Sequence, residues 1–126
     1  MTQQCPFCTL PPERIIDSNE LAIVIRDGYP VSPGHTLVIP KRHIGSWFEI
    51  TPKEQSAMLE LLQSAKARLE AEHQPDGYNI GINDGPAAGQ TVPHLHMHLI
   101  PRYQGDLEDP RGGVRWVIAG KAKYWA

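Results

Sequence analysis

Residues 93–101 read PHLHMHLIP, which sets His94, His96 and His98 at alternate positions with Leu95, Met97 and Leu99 between them. A strand sends successive side chains to opposite faces, so the alternation predicts one apolar face for the core and one face carrying three imidazoles. Those imidazoles would stand roughly 6.5 Å apart along about 13 Å of chain, close to the length of a short phosphate chain. Three explanations compete for the pattern: chance placement of polar residues, a metal site made by the histidines alone, and chemistry on an anionic substrate. Two imidazoles at i and i+2 can share an ion, but the third sits poorly for the same ion, so metal binding alone does not account for all three.

Working outward, Tyr78-Asn-Ile-Gly-Ile-Asn83 alternates as a strand and Asp84 to Gly89 turns the chain back, so a second hairpin is expected. That turn is longer than a tight hairpin needs; it reads either as a plain surface turn or as a source of free N–H groups beside the histidines. Further upstream, Thr51-Pro-Lys-Glu54 combines an N-cap hydroxyl, proline at N1 and a capping-box glutamate, which predicts a helix from Thr51. Met58, Leu61, Leu62, Ala65 and Leu69 then fall on one helical face and predict its buried side. Arg14 to Ser18 and Glu20 to Arg26 read as a hairpin around Asn19, and Thr36 to Ile39 as a third early strand ended by Pro40.

The chain has 126 residues, one length of core and no composition break, so a single domain spanning 1–126 is expected. A net charge of −2 with 21% charged residues offers no basic stripe for polymeric nucleic acid. The longest apolar run, Leu21 to Ile25, is too short to span a bilayer, and the polar start MTQQCPFC lacks the apolar region of a signal peptide; no membrane partner and a cytoplasmic location are expected. Cys5 and Cys8 form the sole CxxC, which suits a reduced thiol pair better than a secreted disulfide scaffold.

His94-Leu-His-Met-His-Leu-Ile100 resembles the signature of the histidine triad family. The likeness extends to DGYPVSPGHTLVIPKRH, Asp27 to His43, and to NDGPAAGQTVPHLHMHLIPRYQGD, Asn83 to Asp106, about a third of the chain in two blocks on either side of the capped helix. Gly89-Gln-Thr-Val92 and Ile100-Pro-Arg102 are similar to the branch of the fragile histidine triad protein and its bacterial relatives, while the tail GGVRWVIAGKAKYWA departs from the tryptophan-proline ending of the phosphoramidase branch. The resemblance implies an α+β, HIT-like fold: an antiparallel β-sheet with one long helix and short helices, usually paired into a homodimer. It implies a hydrolase that cleaves dinucleoside polyphosphates or related nucleoside phosphate esters at the α-phosphorus through a nucleotidyl-histidine. A nucleoside phosphoramidase or nucleotidyltransferase, and a nucleotide-binding module without turnover, stand as alternatives.

By position, the nucleophile is His96. A neutral imidazole suits it, because it attacks anionic phosphorus without the repulsion a carboxylate meets. His98, Gly89, Gln90 and Thr91 are expected to stabilise phosphate oxygens, with Asn83 as a further contact. Asp27 takes the family position that bonds the ribose hydroxyls, with Ile25, His35 and Leu37 near the base; from sequence alone Asp27 reads equally well as a turn residue before Gly28. Cys5 and Cys8, with His43 and His94, match the ligand set of family members that carry structural Zn²⁺, while a redox pair or two unbound thiols remain the alternatives. No cofactor is expected in the chemical step. His94 is claimed twice, as zinc ligand and as proton donor to the leaving group, and zinc is the favoured role.

Overall fold

Two hairpins, a fifth strand and one long helix build the fold, described by a computed structural model over residues 5–126. The polar residues 1–4, part of the stretch read as lacking a signal peptide, lie outside the described residues. β1 (Ile15–Ser18) and β2 (Ala22–Arg26) form the expected hairpin. Asn19 shapes its turn: the amide oxygen accepts from Leu21 and Ala22 N–H at 3.1 and 3.0 Å, and the amide nitrogen donates to the Ala57 carbonyl of the helix at 2.9 Å. β3 (Thr36–Pro40), β4 (Gly77–Gly81) and β5 (Met97–Arg102) complete one antiparallel sheet in the order β1-β2-β3-β5-β4.

α1 (Pro52–His73) starts where the capping box places it, with Thr51 accepting from Glu54 N–H at 3.1 Å and Glu54 accepting from Thr51 N–H at 2.9 Å. Met58, Leu61, Ala65 and Leu69 are buried against one face of the sheet, on Ala22, Val24, Val38, Met97 and Leu99, and Leu62 packs at their margin. Each such side chain contributes about 1.5–3 kcal/mol by leaving water. The opposite face is apolar too, through Ile23, Ile25, Leu37 and Ile39. Continuous burial along β2 and β3 follows from their central place, covered on both sides.

The histidine strand is shorter than the alternation predicts. β5 begins at Met97, so His94 and His96 precede it. The β3–β5 register pairs Val38 with Met97; extended two residues, it would set Leu95 opposite Pro40, which has no N–H to offer the ladder. Leu95 N–H bonds the Ile44 carbonyl at 2.7 Å instead, and the chain leaves the sheet. β4 likewise stops at Gly81, where pairing with His98 ends, short of the expected Asn83.

The loop between β2 and β3 is held from below. Arg26 donates to the Gly34 carbonyl at 3.0 Å, to Thr36 Oγ1 at 2.6 Å and to Glu72 at 2.8 Å. Gly34 has φ +88°, and a Cβ there would lie 2.6 Å from Leu69 Cδ2, so glycine is needed for the close approach that delivers His35 to the sheet. Past β5, a 3₁₀ stretch over Gly113–Lys121, broken at Ile118, folds beside β4. Among the described residues no helix is long and apolar enough to cross a membrane.

Candidate active site

The CxxC, the segment after β3 and the segment before β5 converge on one point. His43 Nδ1 lies 3.3 Å from His94 Nδ1, Cys5 Sγ lies 3.3 Å from His94 Nδ1, and Cys8 Sγ lies 3.3 Å from His43 Nδ1 and 3.5 Å from His94 Nδ1. A tetrahedral zinc ion with bonds of about 2.05 Å to nitrogen and about 2.3 Å to sulfur has N···N edges of about 3.3 Å and N···S edges of about 3.5 Å. The four donors therefore fit such an ion. His94 Nε2 donates to the Pro40 carbonyl at 2.8 Å, which fixes the tautomer with the Nδ1 lone pair turned to the cluster. Burial, chiefly, pushes the His94 pKa down and keeps the ring neutral as a ligand must be.

The alternation holds in its faces, with Leu95, Met97 and Leu99 in the helix-side core and Phe7 touching both His94 and His96 on the other side, but the three imidazoles do not form one row along a strand. His94 is fully buried and turns into the cluster; only His98 lies on the strand. Both His94 nitrogens are engaged there, so the proton-transfer role expected for His94 has no free atom to carry it.

Hydrogen-bond partners set the other tautomers as a relay. Val31 N–H donates to His35 Nδ1 at 3.1 Å, so His35 carries its proton on Nε2 and donates to His98 Nδ1 at 2.9 Å. His98 then carries its own proton on Nε2, as a donor for an oxygen in the cavity. His96 Nδ1–H donates to the His94 carbonyl at 2.9 Å, leaving a lone pair on Nε2. Burial first, then the neighbouring His96 and His35, lowers the His98 pKa to about 4, and burial lowers that of His35 against the opposing pull of Asp27. His98 is thus a neutral donor at pH 7. An imidazole with an in-plane lone pair and a neutral donor stand side by side, their ring centroids 5.2 Å apart.

Both rings open on a cavity of about 500 Å³ floored by the second face of the sheet, with Ile25 and Leu37 as its apolar base. Asp27, His35, Asn83, Gly89 and Thr91 line it as well, bringing most of the expected contacts together. Asp27 is a turn residue, its Oδ1 accepting from Tyr29 N–H at 2.8 Å, while Oδ2 faces His35 Nε2 at 3.4 Å at the cavity wall. Gln90 is the exception. Its amide accepts from Gly85 N–H at 2.8 Å and donates to the Gly45 and Val92 carbonyls at 3.0 and 3.1 Å, so it braces the loop and does not line the cavity. Gly89, at φ +94°, closes the short 3₁₀ turn that brings this loop to the rim. The sequence reading missed Phe7, Arg14, Tyr29 and Val31 on the cavity wall. Phe7 carried a signal, an aromatic residue between two candidate ligands; Tyr29 and Val31 lie inside the first motif block, and Arg14 lies outside both blocks.

A five-stranded antiparallel sheet with one helix on one face and a histidine-lined cavity on the other defines an α+β protein. The chain belongs to the HIT family: the sequence model described as HIT domain matches residues 10–105. It is 40% identical over 110 residues to the bis(5'-nucleosyl)-tetraphosphatase [asymmetrical] of Schizosaccharomyces pombe, covering 86% of this chain and 60% of that one. It is 34% identical over 99 residues to the bifunctional bis(5'-adenosyl)-triphosphatase/adenylylsulfatase FHIT of Arabidopsis thaliana, covering 79% of this chain and 55% of that one. The chain thus spans little more than half the length of these two relatives. A crystal structure of a HIT family member from Bacillus subtilis superposes with a TM-score of 0.75 at 34% identity, covering 82% of this chain and 77% of that one.

Proposed function

We propose that the protein is a nucleotide hydrolase that cleaves dinucleoside polyphosphates at an α-phosphorus through a nucleotidyl-His96 intermediate. The observation that carries the reading is the His96 Nδ1–H···O=C His94 bond of 2.9 Å, which selects the tautomer with its lone pair on Nε2, beside the His98 donor at the cavity. Likeness to a tetraphosphatase and a triphosphatase supports the substrate class.

In this reading the nucleoside rests on Ile25 and Leu37 with its ribose toward Asp27, and the phosphates run past His96 and His98. The His96 Nε2 lone pair forms the N–P bond while the Pα–O bond to the leaving nucleotide breaks and that oxygen keeps the electron pair. His98 Nε2–H, with Thr91 and the Gly89 backbone, offsets charge on the non-bridging oxygens. Water then attacks phosphorus and gives one proton to bulk solvent, the N–P bond breaks with its electron pair returning to Nε2, and a nucleoside monophosphate leaves with His96 restored. Zn²⁺ held by Cys5, Cys8, His43 and His94 would pin the N-terminal segment to the triad and supply no chemistry to the step.

The reading also includes a homodimer and a reducing, cytoplasmic setting. β4 is an edge strand with Ile80 49% exposed, next to exposed Val114 and Val117. Both cysteines are free thiols. A monomer by sedimentation at working concentration would remove the dimer.

The deciding experiment incubates wild type and His96→Ala with diadenosine tetraphosphate, diadenosine triphosphate and adenosine phosphoramidate and separates the products. Adenosine monophosphate released from the polyphosphates by wild type alone is expected. Turnover surviving in His96→Ala, or confined to the phosphoramidate, would overturn the proposal. Binding of adenosine monophosphate with no turnover of any of the three would point to a binding module.

A further inference from the structure

His96 is tied down at one atom. Its Nδ1–H holds the His94 carbonyl, and a single hydrogen bond leaves the ring plane to be set by what packs on it. Among the described residues two rings do so: His98, and Phe7, whose centroid lies 5.0 Å from that of His96 at 65°. Phe7 also meets His94 edge-on, at 5.9 Å and 87°. It joins the apolar cluster of Ile23, Ile25, Leu37 and Ile39 and lines the cavity. The Cys5-Pro-Phe-Cys8 turn thus points its thiols at one site and its aromatic ring at the other.

That turn has few other anchors. Its backbone and Thr9 bonds are internal, Cys8 N–H and Thr9 Oγ1 each to the Cys5 carbonyl. Among the described residues its polar contacts to the rest of the chain are those of the two thiols with His43 and His94. The thiol contacts therefore act on Phe7 together with its packing on Ile23, Ile25, Leu37 and Ile39.

We infer that Phe7 is a positioning residue that sets the His96 ring and couples it to metal occupancy of the Cys5/Cys8/His43/His94 site. The inference rests on the proposed role of His96 and adds a path by which metal loss reaches it. A second path exists, from His94 through its carbonyl to His96 Nδ1, and the test separates the two.

Wild type, Phe7→Ala and Phe7→Leu are prepared zinc-loaded and chelator-stripped. Two readouts are taken: ¹H–¹⁵N imidazole signals of His96 without nucleotide, and adenosine monophosphate affinity by calorimetry. Aromatic edge contacts are worth roughly two- to ten-fold in an equilibrium. Stripping wild type is therefore expected to shift the His96 signals and weaken affinity by roughly three- to ten-fold. Loaded Phe7→Ala should show both changes already, with zinc content intact, and stripping should add less than about two-fold. Phe7→Leu, which keeps the packing volume without the ring, should bind zinc and give the same pattern, and it decides the matter if the alanine variant does not fold. The inference is overturned if stripping acts as strongly in the Phe7 variants as in wild type, if their loaded His96 signals match wild type, or if wild type takes up no metal. Coupled His96 signals without nucleotide binding in any form would instead remove the proposed function and leave this inference standing.

Discussion

Replacing His35 with alanine tests the relay that makes His98 a donor. In the structure His35 is 3% exposed, accepts from Val31 N–H and donates to His98 Nδ1 at 2.9 Å. Removing it deletes two intramolecular hydrogen bonds, each worth about 0.5–1.5 kcal/mol, and leaves His98 free to move its proton to Nδ1, which would turn a lone pair toward the phosphate. The side chain also lies between the 500 Å³ cavity and a neighbouring one of about 410 Å³, so water enters where the ring stood. Hydration undoes the burial that holds the His98 pKa near 4 and returns it toward the ordinary value of 6.5. The expected outcome is a His98 pKa raised above 5 by imidazole NMR, mixed tautomers, and turnover at pH 7 lowered about ten-fold, the equivalent of about 1.4 kcal/mol. A His98 that keeps one tautomer and a pKa near 4 in the variant, or turnover within two-fold of wild type, would refute the relay.

Three further outcomes are expected. Cys8→Ala removes an exposed side chain, so its cost comes from lost zinc: at a thousand-fold excess over Kd the ion stabilises the fold by about 4 kcal/mol, or roughly 10–20 °C in Tm by scanning fluorimetry. Turnover of the folded fraction should fall by less than about ten-fold; an unchanged Tm with lost turnover would reverse the assignment of the site as structural. Glu54→Gln breaks the paired bonds from Arg42, at 3.1 and 2.7 Å, and weakens the helix cap, and should cost about 2 kcal/mol in urea denaturation with the zinc content unchanged. Acid should destabilise the metal-free protein, and two of the contributions are separable. Below pH 6.5 the unfolded chain protonates His98 before the folded one does, so up to roughly 3 kcal/mol is lost as pH falls toward 4. The Arg42 guanidinium and the cap hold Glu54 at about 2, so its contribution is full above 4.5 and is lost as pH falls through 2; Tm against pH, compared with Glu54→Gln and His98→Phe, separates the two.

Local chemistry was enough for several elements. The Thr51-Pro-Lys-Glu54 box, the apolar stripe from Met58 to Leu69 and the hairpin around Asn19 depend on neighbours within a few residues, and each formed where its pattern placed it. The two motif blocks brought Asp27, His35, Asn83, Gly89, Thr91, His96 and His98 to one cavity. What the pattern could not decide were contacts made at long range. Alternation separated Leu95, Met97 and Leu99 from the histidines, but it could not show that Pro40, opposite the position where the ladder would continue, denies Leu95 its pairing, or that His94 joins His43 and the cysteines. Gln90 sits in the expected stretch yet spends its amide on Gly45, Gly85 and Val92. Phe7 reaches His96 through packing on β2 and β3 and through a turn whose Cys8 meets residues 35 and 86 positions away. Periodicity and capping are properties of adjacent residues and can be read along the chain; which nitrogen of an imidazole is free depends on the carbonyl or thiol that folding sets against the other, and that is decided in three dimensions.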